Sequence, residues 1–376
     1  MISLRGRAFI DGAIHDDAVI TMEGESIAEA TKVAAAGAEA ERITGLMLPG
    51  LIDLHVHGGA GSDFMDSDGD ANDTVRRFHL RHGTTSLAAT TLSSDQSDLH
   101  RAVRAIAQSA GRRIDGSQIA GIHLEGPYIN PDRAGAQSKA AIRPASATEL
   151  GELIDEAPRL RFMMTVAPEA AGVIQLLDRF RDRVVFSMGH TDCSYSQAVE
   201  AIDHGARHLT HMWNAMRALH HREPGPIGAA STRNDVSAEL IADGIHVHPA
   251  VLRMFAQLMP DRIVLVTDAM RAAGLPDGIY RLHEHDVIVS EGAARLADGT
   301  LAGSVLTMID AVRNMVELAG IPLEAVIPLA SEVPARVLGL ERKGRLRSGY
   351  AADVLVISPR FEIERIFLQG AEVDLA

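Results

Sequence analysis

Residues 48–58, LPGLIDLHVHG, constrain this chain more than any other stretch. The apolar run 51–56 reads as a short buried strand that ends in two histidines, His55 and His57, before a pair of glycines. Side chains two apart on a strand point to the same face. The two imidazoles can therefore converge where the strand gives way to a loop. One His-x-His pair is weak on its own, because satisfied or surface histidines outnumber metal ligands. Its weight depends on whether other strands bring ligands to the same place.

The texture of the chain meets that demand. From residue 48 onward, apolar strands alternate with amphipathic helical segments. The strands are expected at 51–57, 84–90, 119–125, 161–166, 183–190, 206–211, 237–242 and 262–268, and helical patterns at 74–82, 99–111 and 194–205. Eight strands alternating with helices predict an α/β fold of the (β/α)8 barrel type, whose active site lies at the carboxyl ends of the strands. A glycine-marked loop at 299–304 and helices near 305–319, 323–329 and 331–338 follow. Residues 1–47 read instead as short strands with tight turns at Asp11-Gly12 and Glu23-Gly24, ending in an alanine-rich patch, and 349–370 returns to strand texture. The expected organisation is 1–47 and 341–376 as two parts of one small β-sandwich flanking a barrel over 48–340.

Ligand-type residues stand at corresponding strand ends: His55 and His57 on strand one, Glu125 on three, His190 on five, His211 on six and Asp268 on eight. Four imidazoles and two carboxylates make a nitrogen–oxygen site suited to zinc, iron, manganese or cobalt. Taken singly, a strand-end aspartate is usually a helix cap and a buried histidine is usually just hydrogen-bonded. Their joint placement is what argues for a metal. His123 shares the strand face of Glu125 one layer deeper and reads as a core or supporting residue.

Composition narrows the class. The net charge of −14 disfavours nucleic acid or an anionic membrane as partner, so an anionic substrate has to be held by a few local cations. The single cysteine, Cys193, rules out an intrachain disulfide framework and points to a reducing, cytoplasmic compartment. No run of 18 apolar residues suggests a membrane span.

The segments PGLIDLHVHG, HLEGPYIN, APE at 167–169, GHT at 189–191, LTHMWNAM, HREPG, ADGIHVH, VTDAM and TLAGS resemble the amidohydrolase superfamily. Within it, they are most similar to the N-acetylglucosamine-6-phosphate deacetylase family, essentially end to end. The resemblance implies that Glu125, His190 and His211 hold the main metal, zinc or iron. Some members of the family lack the strand-one histidines and bind that metal alone. With His55 and His57 both intact, the expectation here is one or two ions per chain, the second at that pair. It implies that Asp268 takes the proton of the attacking water and returns it to the leaving amine. It also implies that Arg222 and His246 bind the phosphate of a small phosphorylated amino sugar, and that Ala136, Gln137, Asn214, Ala215, Leu301, Ala302 and Gly303 line the sugar site. Contacts from a neighbouring subunit in that family make a homodimer the expectation. Some relatives carry at 137 a histidine that polarises the acetyl carbonyl, a role that the uncharged Gln137 cannot fill as a cation. The rivals are the galactosamine epimer of the same substrate, another amidohydrolase chemistry, and a non-catalytic barrel serving as a binding protein.

Overall fold

The computed structural model describes residues 1–32 and 40–375; most of the alanine-rich patch lies outside them. Eight parallel strands form the barrel sheet: Leu51–Val56, Thr84–Thr91, Gln118–Glu125, Arg161–Val166, Val184–Met188, Ala206–Leu209, Ser237–Ile241 and Ile263–Val266, numbered one to eight below. Each pairs with its chain neighbour. No regular ladder joins strands eight and one. A polar seam does so instead: Asp53 accepts from Thr267 Oγ1 at 2.5 Å, and the Asp268 amide donates to the His55 carbonyl at 2.8 Å.

The connecting helices are amphipathic for the reason their sequences suggest. Gln96–Ala110 starts where Asp95 accepts from the Asp98 amide, and it buries Leu99, Ala102, Val103 and Ile106 at helical spacing. Tyr195–Asp203 is closed by a capping box between Ser194 and Gln197. Gly69–Arg81 begins earlier than the expected 74, because Asp68 caps it ahead of its apolar face. Each large apolar side chain so buried contributes about 1.5–3 kcal/mol.

Both ends of the chain build one seven-stranded sheet. Glu41–Pro49 pairs in parallel with Ile2–Ile10 on one side and antiparallel with Val354–Ile357 on the other. Asp11 and Gly12, with φ of 49° and 84°, make the two-residue turn into Ala13–Glu23. The sheet folds over its own small core, which joins Leu4, Ile20 and Ile27 to Met47, Val354 and Phe367. Leu46, Leu48, Leu355 and Ile366 join the barrel core.

The expected loop at 299–304 is in fact the last strand of a four-stranded antiparallel sheet made by Gly278–Leu282, His285–Ser290, Ala293–Arg295 and Leu301–Ser304. Its exposed alternation gave no long apolar run to mark it.

Candidate active site

The strand ends bring together every ligand-type residue singled out above. The Glu125 carboxylate is the hub. Its Oε1 lies 3.1 Å from His190 Nε2 and 3.0 Å from His211 Nε2, and those two nitrogens are 3.1 Å apart. Beside this trio, His55 Nε2 and His57 Nε2 are 3.2 Å apart, and Asp268 Oδ1 lies 3.5 Å and 3.3 Å from them. Glu125 Oε2 is 3.3 Å from His57 Nε2, so one carboxylate faces both groups.

Nitrogens that point lone pairs at one another require a proton or a cation between them. A tetrahedral ion with bonds of about 2.0–2.1 Å sets its ligand atoms roughly 3.3 Å apart. The two trios, Glu125–His190–His211 and His55–His57–Glu125, fit that spacing. The donor set of imidazoles and carboxylates suits a divalent transition metal.

The backbone at these positions is unusual. His190, His211 and Asp268 have φ of 46°, 25° and 49°, in the left-handed region that ordinary residues avoid. Such strain persists where the surroundings over-determine it. Glu169, from the APE segment, accepts from Asn130 Nδ2 at 2.7 Å, the Asp192 amide at 2.6 Å and Thr191 Oγ1 at 2.5 Å, and so pins the loop after His190. Gly189 precedes His190 because a Cβ there would stand 2.7 Å from Thr210 Cβ.

The residues behind the ligands hold them in place. His190 Nδ1 donates to the Arg133 carbonyl at 2.8 Å, which leaves its Nε2 free to ligate. His55 Nδ1 lies 3.0 Å from Glu239 Oε2. Gln137 accepts from the Ser93 amide at 2.6 Å, which fixes its amide orientation and aims Nε2 at Glu125 Oε2, to which it donates. His123 Nε2 meets Thr165 Oγ1 at 2.7 Å in the supporting layer expected of it, within a hydroxyl network with Thr210 and Ser187. Sequence reasoning passed over Glu239, although an acid in the middle of an apolar strand was the available signal.

Charges in this cluster are strongly coupled. Burial would push the Glu125 carboxyl up, but His55, His190 and His211 hold it well below the usual carboxylate range. Burial likewise opposes Asp268, and His55 and His57 lower it. Burial would lower His55, and Glu125, Asp268 and Glu239 outweigh it and raise it well above its ordinary value.

A cleft of about 530 Å³ opens over the cluster, lined by His57, Glu125, His190, His211 and Asp268 at its floor. Ala136, Gln137, Asn214, Ala215, His246, Leu301 and Gly303 form its walls. Ala302 alternates to the other face of its strand and is buried. His246 Nδ1 pairs with Asp243 Oδ2 at 2.6 Å. Arg222 is exposed beside His221 and does not line the cleft of its own chain. Lys139 and Arg133 do line it, and Arg133 is paired with Asp192 at 2.6 Å.

The sequence model of the amidohydrolase family matches residues 46–373. The N-acetylgalactosamine-6-phosphate deacetylase of Escherichia coli O157:H7 is 41% identical over 332 residues, 88% of either chain. The N-acetylglucosamine-6-phosphate deacetylase of Bacillus subtilis is 38% identical over 331 residues, 86% of this chain and 84% of that one. Among solved structures, a mutant N-acetyl-D-glucosamine-6-phosphate deacetylase from Mycobacterium smegmatis, in complex with N-acetyl-D-glucosamine 6-phosphate, is similar at 34% identity. Its TM-score is 0.93 over 99% of both chains.

Proposed function

The chain belongs to the amidohydrolase family, and from that premise we propose that it hydrolyses the acetamide of N-acetyl-D-glucosamine 6-phosphate to D-glucosamine 6-phosphate and acetate. The observation that carries this reading is the pair of cation cradles sharing Glu125, with Asp268 against the His55–His57 pair, at the floor of a sugar-sized cleft. The activities of the relatives support the substrate class. A second reading, the galactosamine epimer, is favoured by one observation, the 41% identity to a deacetylase of that sugar.

Glu125, His190 and His211 would hold one divalent metal, zinc or iron, and His55 and His57 a second. Such an ion, when bound, lowers the pKa of water to about 7 and polarises a carbonyl. Asp268 accepts the proton of the water that attacks the acetyl carbon. As the carbon–nitrogen bond breaks, it passes that proton to the leaving amine. Gln137, held by Ser93, keeps Glu125 aligned, and we assign it to that task ahead of polarising the acetyl group. The walls formed by Ala136, Asn214, Ala215, Leu301 and Gly303 orient the sugar, with Ala302 acting only through its backbone.

His246 takes part of the phosphate. Because Arg222 lies outside the cleft of its own chain, its role as a phosphate ligand requires a second copy, and we propose a homodimer in which Arg222 reaches the neighbouring site. The free, buried Cys193 fits a reducing compartment, and we place the enzyme in the cytoplasm.

The deciding experiment measures acetate release from both N-acetylhexosamine epimers, each with and without the 6-phosphate. The expected order is glucosamine phosphate over galactosamine phosphate over either free sugar. A reversed epimer order selects the second reading, and no acetate from any of the four removes both.

A further inference from the structure

Glu239 stands in the middle of barrel strand seven with none of its surface exposed, and the proton transfers above leave it without a task. An ionised carboxylate in such a place is strongly unfavourable unless its lone pairs are engaged. Three donors engage them. Oε2 faces His55 Nδ1 at 3.0 Å and accepts from the His211 amide at 2.9 Å, while Oε1 faces His208 Nε2 at 3.2 Å. His208 is anchored in turn by Ser237 Oγ at 2.5 Å from its Nδ1. His55 therefore shows Glu239 the ring nitrogen opposite the one that faces His57 and Asp268.

We propose that Glu239 is the positioning residue of the second cation site. By accepting from Nδ1 it fixes His55 in the tautomer whose Nε2 lone pair is free, turns that lone pair toward His57 and Asp268, and makes it a stronger donor. The first site receives the corresponding support from a neutral group, the Arg133 carbonyl behind His190. The two sites thus differ in kind: a buried charge backs one and a backbone dipole the other. The His211 amide, through which Glu239 also touches a first-site ligand, needs only an acceptor oxygen that an uncharged amide can supply, so removing the charge weakens the second ion and spares the first. The inference rests on the metal-dependent reading above.

The test strips the purified full-length protein with a chelator and titrates it with Zn²⁺ and, separately, Co²⁺. Stoichiometry is read by elemental analysis, affinity by calorimetry and ligand field by Co²⁺ absorption. The wild-type chain is expected to take two ions. Glu239→Gln keeps the shape and loses the charge, so it should fold. It should raise the dissociation constant of the second ion about 10- to 100-fold, change the Co²⁺ spectrum of that ion, and leave the first unchanged. In a His55→Ala background, which holds one ion, Glu239→Gln should have no effect on binding. A wild-type chain that takes only one ion overturns the proposal. So do unchanged affinities in Glu239→Gln, equal weakening of both ions, or a loss that persists without His55. Acetate release is assayed on the same two-ion protein: its absence would remove the deacetylase reading and leave the role of Glu239 standing.

Discussion

Asp268 is held before any substrate arrives. Its left-handed backbone, φ 49°, is clamped by its amide on the His55 carbonyl at 2.8 Å and by the Ser304 amide on its own carbonyl at 2.7 Å. Asp268→Asn preserves that clamp while removing the carboxylate's charge and its ability to take a proton. The variant should lose about 10²- to 10⁴-fold in kcat with little change in KM, measured on protein whose metal content has been verified. A loss below about tenfold at full metal would move the proton acceptor elsewhere. His57 makes a different prediction, for protein without metal. Burial would lower its imidazole, but hydrogen bonds to Asp268 and Glu125 lift it to about 9. A histidine raised on folding stabilises fully below its ordinary value of about 6.5, and that contribution is lost as pH rises through the folded value. The Tm of chelator-stripped protein should therefore decline from about pH 7 to about pH 10, and His57→Asn should flatten the decline. Metal displaces the proton, so the loaded protein should show a shallower slope. Identical slopes in all three samples would assign the pH dependence to other groups.

Among the elements, the loop between strand five and the helix Tyr195–Asp203 is both strained and pinned, with His190 at φ 46° and three donors converging on Glu169. Glu169→Ala leaves those donors without their acceptor. It should cost on the order of 1–3 kcal/mol and let His190 drift from Glu125 Oε1. The measurement is the rate at which a chelator removes metal, with urea unfolding alongside. Faster release is expected, and an unchanged release rate would confine Glu169 to loop stability. The eight strands were legible because strands covered on both faces read as short, nearly uninterrupted buried runs, and their ends were legible because histidine and acid punctuate those runs. The four-stranded insert was not, since Gly278–Leu282 and His285–Ser290 expose every second residue. The period-two alternation around His283-Glu284 and the turn pairs Glu291-Gly292 and Asp298-Gly299 were its marks. Glu239 escaped for the opposite reason: it lies mid-strand, whereas attention to strand ends favours ligands over the groups that aim them.

At the scale of the whole molecule, the position of Arg222 separates two accounts of substrate binding. If Arg222 serves the neighbouring site, an Arg222→Ala homodimer and an Asp268→Asn homodimer are both impaired, and for different reasons. In a mixed dimer, the chain that keeps Asp268 receives its arginine from the other, so one site is whole. Equal mixing under exchanging conditions should restore about a quarter of wild-type activity toward the phosphorylated sugar, given random twofold pairing. No recovery, with subunit exchange verified by mass labelling, would place the arginine's action within its own chain. The expectation of such a dimer comes only through family resemblance, because nothing in the residues around 222 states which copy they face. The seam between strands one and eight has a consequence in time. Asp53 and Thr267 join segments more than 200 residues apart, the separation of their direct hydrogen bond being 214, and the site residues proposed above, His55, His57 and Asp268, flank that junction. Contacts so distant along the chain form late and slowly. A ribosome exposes the strand-one histidines long before it delivers the aspartate that completes their surroundings. An interrupted chain would therefore own most of the proposed metal-binding residues and still be unable to organise them, and capture of a second ion would report that synthesis has passed residue 268.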